Sequence, residues 1–111
     1  MFSAAFETAL RATGLPTAHY GWDKTMLPSG DYIVFAEDGA NDFMADELHG
    51  ERATEGTVDL FTRNYARDAA GPVEQALEAL PALAWSLNSI QFEEDTRYVH
   101  YEWVVQELGK V

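Results

Sequence analysis

The sequence predicts an α+β fold in which two helices pack on one face of a mostly antiparallel sheet. Three observations indicate this two-layer arrangement. Two short stretches repeat apolar residues at helical spacing, several others alternate or are rich in β-branched and aromatic residues, and Gly, Pro, Asn and Asp clusters separate them. The predicted order is α-β-β-β-α-β-β. Because no repeat or linker divides residues 1–111, we interpret them as a single domain.

The composition excludes several classes of protein. Seven Lys and Arg against nineteen Asp and Glu give a net charge of −12, which offers no electrostatic basis for gripping nucleic acid or an anionic membrane. The absence of cysteine excludes disulfides and thiolate metal sites. The start of the chain lacks the basic segment of a secretory signal, and no apolar run reaches the ~20 residues that span a bilayer. We therefore expect a soluble protein that is made in the cytoplasm.

The first helix is predicted from an apolar stripe at i, i+3 and i+4 spacing, formed by Phe2, Ala5, Phe6, Ala9 and Leu10. Gly14 as a C-cap and Pro16 as a helix breaker should end it. Residues 17–30 are rich in turn-forming residues and predict a loop with room for one short strand.

The middle of the chain predicts three strands and a turn after the first of them. Residues 31–36 are apolar on both faces and predict a central strand, and residues 37–41 have the composition of a turn. A short second strand is predicted at 43–46. Residues 52–63 alternate and predict a half-buried strand that pairs antiparallel with its predecessor.

The last part of the chain predicts one helix and two strands. The helix begins near Pro72, ends before Pro81 and has the inner stripe Val73, Ala76, Leu77 and Leu80. A strand is predicted at 84–93 and a turn at 94–96. The final strand alternates, with its inner face formed by Val99, Tyr101, Trp103 and Val105. We also expect Phe35 and Phe61 to lie in the core.

Few residues suggest catalytic or metal chemistry. His100 and Glu102 share one face of a strand and could begin a metal site, but no spacing supplies further ligands, so we interpret them as part of a solvated face. Asp46, His49 and Glu51 form a local acid–imidazole group without a recognisable nucleophile. We therefore predict no enzyme, no metal and no cofactor.

Aromatic and acidic residues in loops are better candidates for an interaction surface. Trp22 and Phe43 lie among polar residues, and aromatics in such positions are enriched at protein–protein contacts, although core packing is an equally good interpretation of each. Acidic residues cluster between positions 37 and 47 and again at 93–95. The candidate interaction residues are Trp22, Asp38, Asp42, Phe43, Asp46, Glu47, Glu94 and Asp95.

An ordered series of segments resembles one known family. The segments are the strand at 31–35, residues 41–46, the strand end at 58–63, the helix at 73–80 and the closing strand at 98–107. In order and spacing they resemble the small proteins that long-tailed bacteriophages and prophages encode between the head–tail connector genes and the major tail protein gene. These are the tail terminator or tail-completion proteins.

The resemblance implies a non-enzymatic assembly protein of the virion. Such proteins form a ring, commonly a hexamer, that caps the tail tube, stops its polymerisation and joins it to the head connector. The implied partners are further copies of the chain, the tail tube protein and the head–tail connector protein, while DNA only passes through the lumen. Carboxylates lining the lumen would repel phosphate within a Debye length of ~8–10 Å. We hypothesise that the acidic clusters at 37–38, 42, 46–47 and 93–95 line it.

Two other functions remain open. A head–tail connector or stopper would bind the portal-adaptor ring instead of the tail tube. A small acidic interaction module, such as an inhibitor that mimics the charge of DNA, would bind a basic protein and remain monomeric or dimeric. A hydrolase or metal enzyme has little support from the residues.

Overall fold

The computed structural model describes residues 1–40 and 51–110. They form two eight-residue helices, α1 at Ala4–Arg11 and α2 at Gly71–Glu78, and two short 3-10 turns at Lys24–Met26 and Arg67–Ala70. The five strands are β1 at Thr17–His19, β2 at Tyr32–Ala40, β3 at Glu51–Thr62, β4 at Leu83–Phe92 and β5 at Val99–Lys110.

The strands form one sheet in the order β1-β2-β3-β5-β4. Three of its pairs are antiparallel, and only β1 runs parallel to its neighbour β2. The α+β class, the mostly antiparallel sheet and the order α-β-β-β-α-β-β are therefore confirmed. The first strand of that order, β1, lies in the segment predicted as a loop with room for one short strand, while the strand predicted at 43–46 falls outside the described residues.

Both helices pack on the same face of the sheet. Phe6 and Leu10 of α1 and Val73 and Leu77 of α2 are fully buried in one apolar cluster. The sheet contributes the cluster members Ile33, Phe35, Val58, Leu60, Tyr101, Trp103 and Val105. Burial of this apolar surface is the main stabilising contribution to the fold. The predicted core positions of β5 are confirmed, although Val99 is only partly buried.

The ends of α1 are set by side chains around it. The Ser3 hydroxyl accepts a hydrogen bond from the Phe6 amide and caps the helix N-terminus. The Ser3 amide and hydroxyl in turn donate to the two carboxylate oxygens of Glu107, at 2.8 and 2.7 Å. The C-cap is Ala12 and not the predicted Gly14. Gly14 follows two residues later with φ of 87°, where a residue without a Cβ turns the chain toward β1.

Two tryptophans of the sheet donate hydrogen bonds to α2. The indole nitrogen of Trp103 donates to Glu74 at 3.0 Å, and that of Trp85 donates to Glu78, also at 3.0 Å. Glu74 and Glu78 are one helical turn apart, so both carboxylates lie along one side of α2. The helix therefore contacts β5 and the neighbouring strand β4 through polar as well as apolar groups.

Candidate interaction surface

One face of the sheet is turned away from both helices, and we call it the open face. It carries alternate residues of β2, β3 and β5, because successive side chains of a strand point to opposite sides. The acidic residues whose side chains are described on it are Asp38, Glu55, Asp59 and Glu102. Among the described side chains of this face there is no Lys or Arg, and His100 is the basic residue.

Three of these carboxylates have specific partners. Glu55 accepts a hydrogen bond from the Gln106 amide at 3.3 Å, and Glu102 accepts one from the Asn88 amide at 2.7 Å. Asp59 Oδ1 lies 2.7 Å from Nε2 of His100. Asp38 is exposed and borders a shallow concavity of about 400 Å³ together with Glu55. The open face is therefore a partly ordered acidic surface.

The end of the open face beside the loop 20–30 holds a second concavity, which we call the aromatic pocket. Its volume is about 360 Å³, and its lining includes Tyr20, Trp22, Tyr32, Asp59, Phe61 and His100. The rings of Tyr32 and Phe61 stack with centroids 4.8 Å apart, and Phe61 also stacks on the His100 imidazole at 4.3 Å. The pocket therefore combines aromatic faces with one carboxylate.

Two features of the pocket rim are unusual. The indole Nε1 of Trp22 is buried and has no hydrogen-bond partner among the described residues. A buried donor without an acceptor is rare in native proteins and costs free energy. Tyr20 has φ of 72°, a left-handed backbone conformation that is uncommon for a residue with a Cβ. Strained and unsatisfied groups of this kind cluster at functional sites.

The charge of His100 is controlled by the carboxylates around it. The hydrogen bond to Asp59 raises the pKa of His100 above its ordinary value of 6.5, and the negative charges of Asp59, Glu93 and Glu102 add to this, although burial acts in the opposite direction. Glu93 Oε2 lies 3.6 Å from Nδ1 of the same ring. Among the described residues, no group of three or more His, Asp and Glu side chains is arranged to hold a metal ion.

We expect the His100–Asp59 pair to make stability depend on pH. The pKa of His100 is higher in the folded protein than in the unfolded chain, so its stabilising contribution is fully present below about pH 6.5 and disappears as the pH rises through the folded-state pKa. His100→Gln should therefore lower the free energy of unfolding more at pH 5.5 than at pH 8.5. Urea unfolding of both proteins at the two pH values checks this. An equal loss at both would contradict the assignment.

Glu37 and Asp38 are adjacent in the sequence but point to different faces. A bulge between Glu37 and Gly39 shifts the register of β2 against β3. Glu37 lies on the helix side, where its carboxylate binds the His19 imidazole and the Phe2 amide. Burial acts to raise the pKa of Glu37, but these hydrogen bonds outweigh it and lower the pKa to about 2. Glu37 is therefore a structural residue, and only Asp38 belongs to the open face.

Strand β4 forms one edge of the sheet, and no described strand pairs with its outer side. Its ten residues contain no charged residue and no proline, although the chain as a whole is 23% charged. Natural edge strands are usually protected from pairing by charges, prolines or bulges, and β4 has only the last of these, at Asn88. The opposite edge, β1, has three residues, and its Thr17 carbonyl already accepts a hydrogen bond from Arg11.

The side of β4 that faces the helices carries an unbroken apolar stripe. Leu83, Trp85 and Leu87 pack partly against the core, and the bulge at Asn88 brings the next two apolar residues to the same side. These two residues, Ile90 and Phe92, are 48% and 47% exposed. An edge with free backbone groups and half-exposed apolar side chains is suited to pairing with another protein surface.

The described candidates from the sequence do not form one site. Trp22 lines the aromatic pocket, and Asp38 lies toward the other end of the open face. Glu94 and Asp95 are exposed in the β4–β5 turn, where Asp95 accepts a hydrogen bond from the Thr96 amide. The remaining candidates, Asp42, Phe43, Asp46 and Glu47, lie outside the described residues. The same is true of His49 in the acid–imidazole group.

Sequence reasoning missed most of the residues that form the pocket. Phe61 was expected in the core, but it is half-buried on the open face because it follows Leu60 in an alternating strand. The available signal is that His100 is predicted on a solvated face and that alternation in residues 52–63 puts Asp59 on the opposite side from Leu60. Their contact was not predictable, because it depends on β3 and β5 being neighbours at this particular register.

The fold and surface define a small α+β domain with an open edge strand and an acidic sheet face. Comparison of the chain with protein-family models and with curated proteins finds no match in either case. In the described part of the chain, neither eight-residue helix is long or apolar enough to cross a membrane.

Proposed function

We propose that this protein is a structural component of a bacteriophage or prophage virion that assembles into a ring, caps the tail tube and joins it to the head connector. The observation that carries the proposal is the β4 edge, which is uncharged, pairs with no described strand on its outer side and carries an apolar stripe in an otherwise strongly acidic chain. The resemblance of segments 31–35, 58–63 and 98–107 to tail terminator proteins supports the same function.

The two edges of the sheet differ in a way that favours a ring. Because β1 is short and its Thr17 carbonyl is occupied, β1 of the next protomer offers no long edge to β4. Pairing of two β4 edges would close a dimer, so a ring requires that β4 contact a different surface of its neighbour. Contacts between two different surfaces are heterologous, and they close into rings when the rotation between protomers allows it.

The open face supports a role for charge in the assembled ring. Asp38, Glu55, Asp59 and Glu102 all lie on it, whereas Glu37 is directed to the helix side. We propose that the open face lines the channel and repels DNA phosphate as the genome passes. The proposed lining contains fewer acidic residues than the sequence hypothesis assigned to the lumen. Glu94 and Asp95 are left out, because they lie in a turn at the far end of the sheet from Asp38.

Deleting the gene in the phage or prophage that encodes the protein should give overlong tails without heads. We expect Ile90→Glu to fail to restore normal tails, because a carboxylate on the edge strand opposes burial in a protein contact. Val104→Glu is the matched control, since Val104 is 41% exposed on the neighbouring strand but lies on the open face. It should restore normal tails. Electron microscopy of purified tails gives both readouts.

Three outcomes would contradict the proposal. Tails of normal length in the deletion strain would exclude a terminator and favour a connector or stopper component. Full complementation by Ile90→Glu would exclude the β4 edge as the assembly contact. A stable dimer by light scattering over a range of concentrations, without rings under the microscope, would indicate that two β4 edges pair with each other.

The acidic open face also fits a second function, an inhibitor that mimics the charge of DNA. Four carboxylates with no Lys or Arg among the described side chains beside them form a surface that a basic protein would recognise. This function predicts a monomer or dimer that binds a basic host protein with strong dependence on salt. A pull-down at low and high salt, combined with the tail phenotype, separates the two functions.

A further inference from the structure

A cluster of exposed residues lies where β4 enters the β4–β5 turn, and we call Tyr65, Ile90, Phe92 and Arg97 the edge patch. The rings of Tyr65 and Phe92 meet edge to face with centroids 5.9 Å apart, and the Arg97 guanidinium carbon lies 5.1 Å from the Phe92 ring centroid. Tyr65, Ile90 and Phe92 all keep about half of their surface exposed. Aromatic residues and arginine contribute much of the binding energy at protein–protein contacts.

The backbone holds Arg97 in an uncommon conformation. Its φ is 65°, in the left-handed region that residues with a Cβ rarely adopt. Its amide donates to the Glu93 carbonyl at 2.8 Å, and its own carbonyl accepts a hydrogen bond from the Tyr65 hydroxyl at 2.9 Å. These two hydrogen bonds fix the backbone so that the guanidinium stays beside Phe92 at the edge of the sheet.

The positive charge of Arg97 has no partner among the described residues. Its guanidinium forms neither a hydrogen bond nor an ion pair with any of them. Two acids of the same turn are engaged elsewhere, since Asp95 accepts from the Thr96 amide and Glu93 accepts from the Thr96 hydroxyl. The edge patch therefore combines apolar surface with one cation, which is complementary to a segment that carries both apolar and acidic side chains.

Residues 41–50, which lie outside the described residues, have this composition. They contain no Lys, Arg or Pro, so every backbone amide is available to an added strand. The sequence predicts a short strand within them, at 43–46. Their acidic and large apolar residues are Asp42, Phe43, Met44, Asp46, Glu47 and Leu48.

This segment is too short to reach the edge patch of its own chain. It ends where β3 begins, at Glu51, which pairs with Lys110 at the end of β5. Phe92 pairs with Val99, eleven residues away along β5, or about 37 Å at ~3.4 Å per residue. Ten residues that leave the sheet and return to it extend no more than about 18 Å. Only a second copy of the chain can bring the segment to the edge patch.

We propose that residues 41–50 of one copy add a strand to the outer side of β4 in the next copy. The apolar side chains of the segment cover Ile90 and Phe92, and one of its carboxylates binds Arg97. The segment and β4 are different surfaces, so the contact is heterologous and its repetition can close a ring. This inference deepens the proposed function and rests on it in one respect, that copies of the chain meet through β4.

Cross-linking of introduced thiols tests this contact. The chain contains no cysteine, so each new thiol reports on one position. We expect a chain with Ala45→Cys and Gln91→Cys, treated with a flexible bis-maleimide, to give trimers and larger species on a denaturing gel. Mass spectrometry should find position 45 joined to position 91. Gln91 is exposed in β4 and is not part of the apolar stripe, so its replacement spares the edge patch.

The samples are concentrated pure protein and purified tails from the complemented deletion strain. Ala45→Cys combined with Thr8→Cys is the matched control, because Thr8 is exposed on α1, and it should give nothing larger than a dimer. Absence of species larger than a dimer from the first variant in both samples would overturn the proposal. Dimers formed by Gln91→Cys alone would also overturn it, because they would place β4 against β4 of the second copy.

A charge reversal tests the role of Arg97. Adding Arg97→Glu to the chain with Ala45→Cys and Gln91→Cys should lower the yield of species larger than a dimer at least about fivefold, as loss of one ion pair implies. Lys24→Glu changes the net charge by the same amount at an exposed position in the loop 20–30 and should leave the yield unchanged. Equal effects of the two reversals would show that no carboxylate of the segment binds Arg97.

The outcomes for the contact and for the proposed function can be told apart. Overlong tails in the deletion strain without cross-linking from 45 to 91 would keep the tail function and exclude this contact. Normal tails together with this cross-linking would keep strand addition between copies and exclude the tail function.

Discussion

Gly56→Ala is expected to destabilise the protein by about 3 kcal/mol or more. A Cβ on Gly56 would overlap the backbone carbonyl oxygen of Ala36 and lie 2.9 Å from Cζ of Phe2. Phe2 packs against β3 at Gly56, which has no side chain, and stacks on Phe6 with ring centroids 4.1 Å apart. The added methyl group must therefore move both the neighbouring strand and the N-terminal aromatic pair.

Gly109→Ala is the matched control, because Gly109 also lies in a strand and a Cβ added to it would meet no atom of the described residues within 4 Å. Its effect should stay within about 0.5 kcal/mol. Urea unfolding followed by tryptophan fluorescence measures both variants. Equal stability of the two would show that Phe2 and β2 can move away from Gly56 without loss, and would contradict the close packing of these groups.

Trp103→Ala is expected to cost about 3–5 kcal/mol, a large fraction of the stability of a domain of this size. Trp103 is fully buried, stacks on Tyr101 and donates its indole hydrogen bond to Glu74. The substitution leaves a cavity beneath α2 and removes the donor from a half-buried carboxylate.

Trp85→Ala provides the comparison, since Trp85 makes the equivalent hydrogen bond to Glu78 but is only partly buried at the edge. We expect it to cost roughly 1–2 kcal/mol. Chemical denaturation of the two variants gives the difference directly. A loss for Trp103→Ala no larger than that for Trp85→Ala would mean that the hydrogen bonds, and not burial, dominate the attachment of α2.

Alternation in the sequence was sufficient to identify most of the elements. In β5, strict alternation with period 2 placed Tyr101, Trp103 and Val105 on the buried side, and the structure agrees. The helix from Pro72 was likewise predictable, because Val73 and Leu77 repeat with helical spacing and both are buried. Local rules succeed in these places because no irregularity interrupts the period.

The same rules failed where a strand contains an extra residue. Without the bulge at Asn88, alternation would place Ile90 on the opposite side from Leu87, and the apolar stripe of β4 would not be continuous. The bulge after Glu37 similarly separates two adjacent acids. The aromatic pocket required a further kind of information, because its residues come from three strands and a loop that are distant in sequence. Only the order and register of the strands bring them together.

The strand order has a consequence for how the chain folds during synthesis. Strand β5 follows every other described element in the sequence, yet it lies between β3 and β4. During synthesis, β3 and β4 are therefore translated before the strand that lies between them. Likewise, Ser3 can form its hydrogen bond to Glu107 only after a further 104 residues have been translated. Closing such long loops slows folding. We therefore expect the nascent chain to remain open, with the apolar side of β4 accessible to chaperones, until translation of β5 is complete.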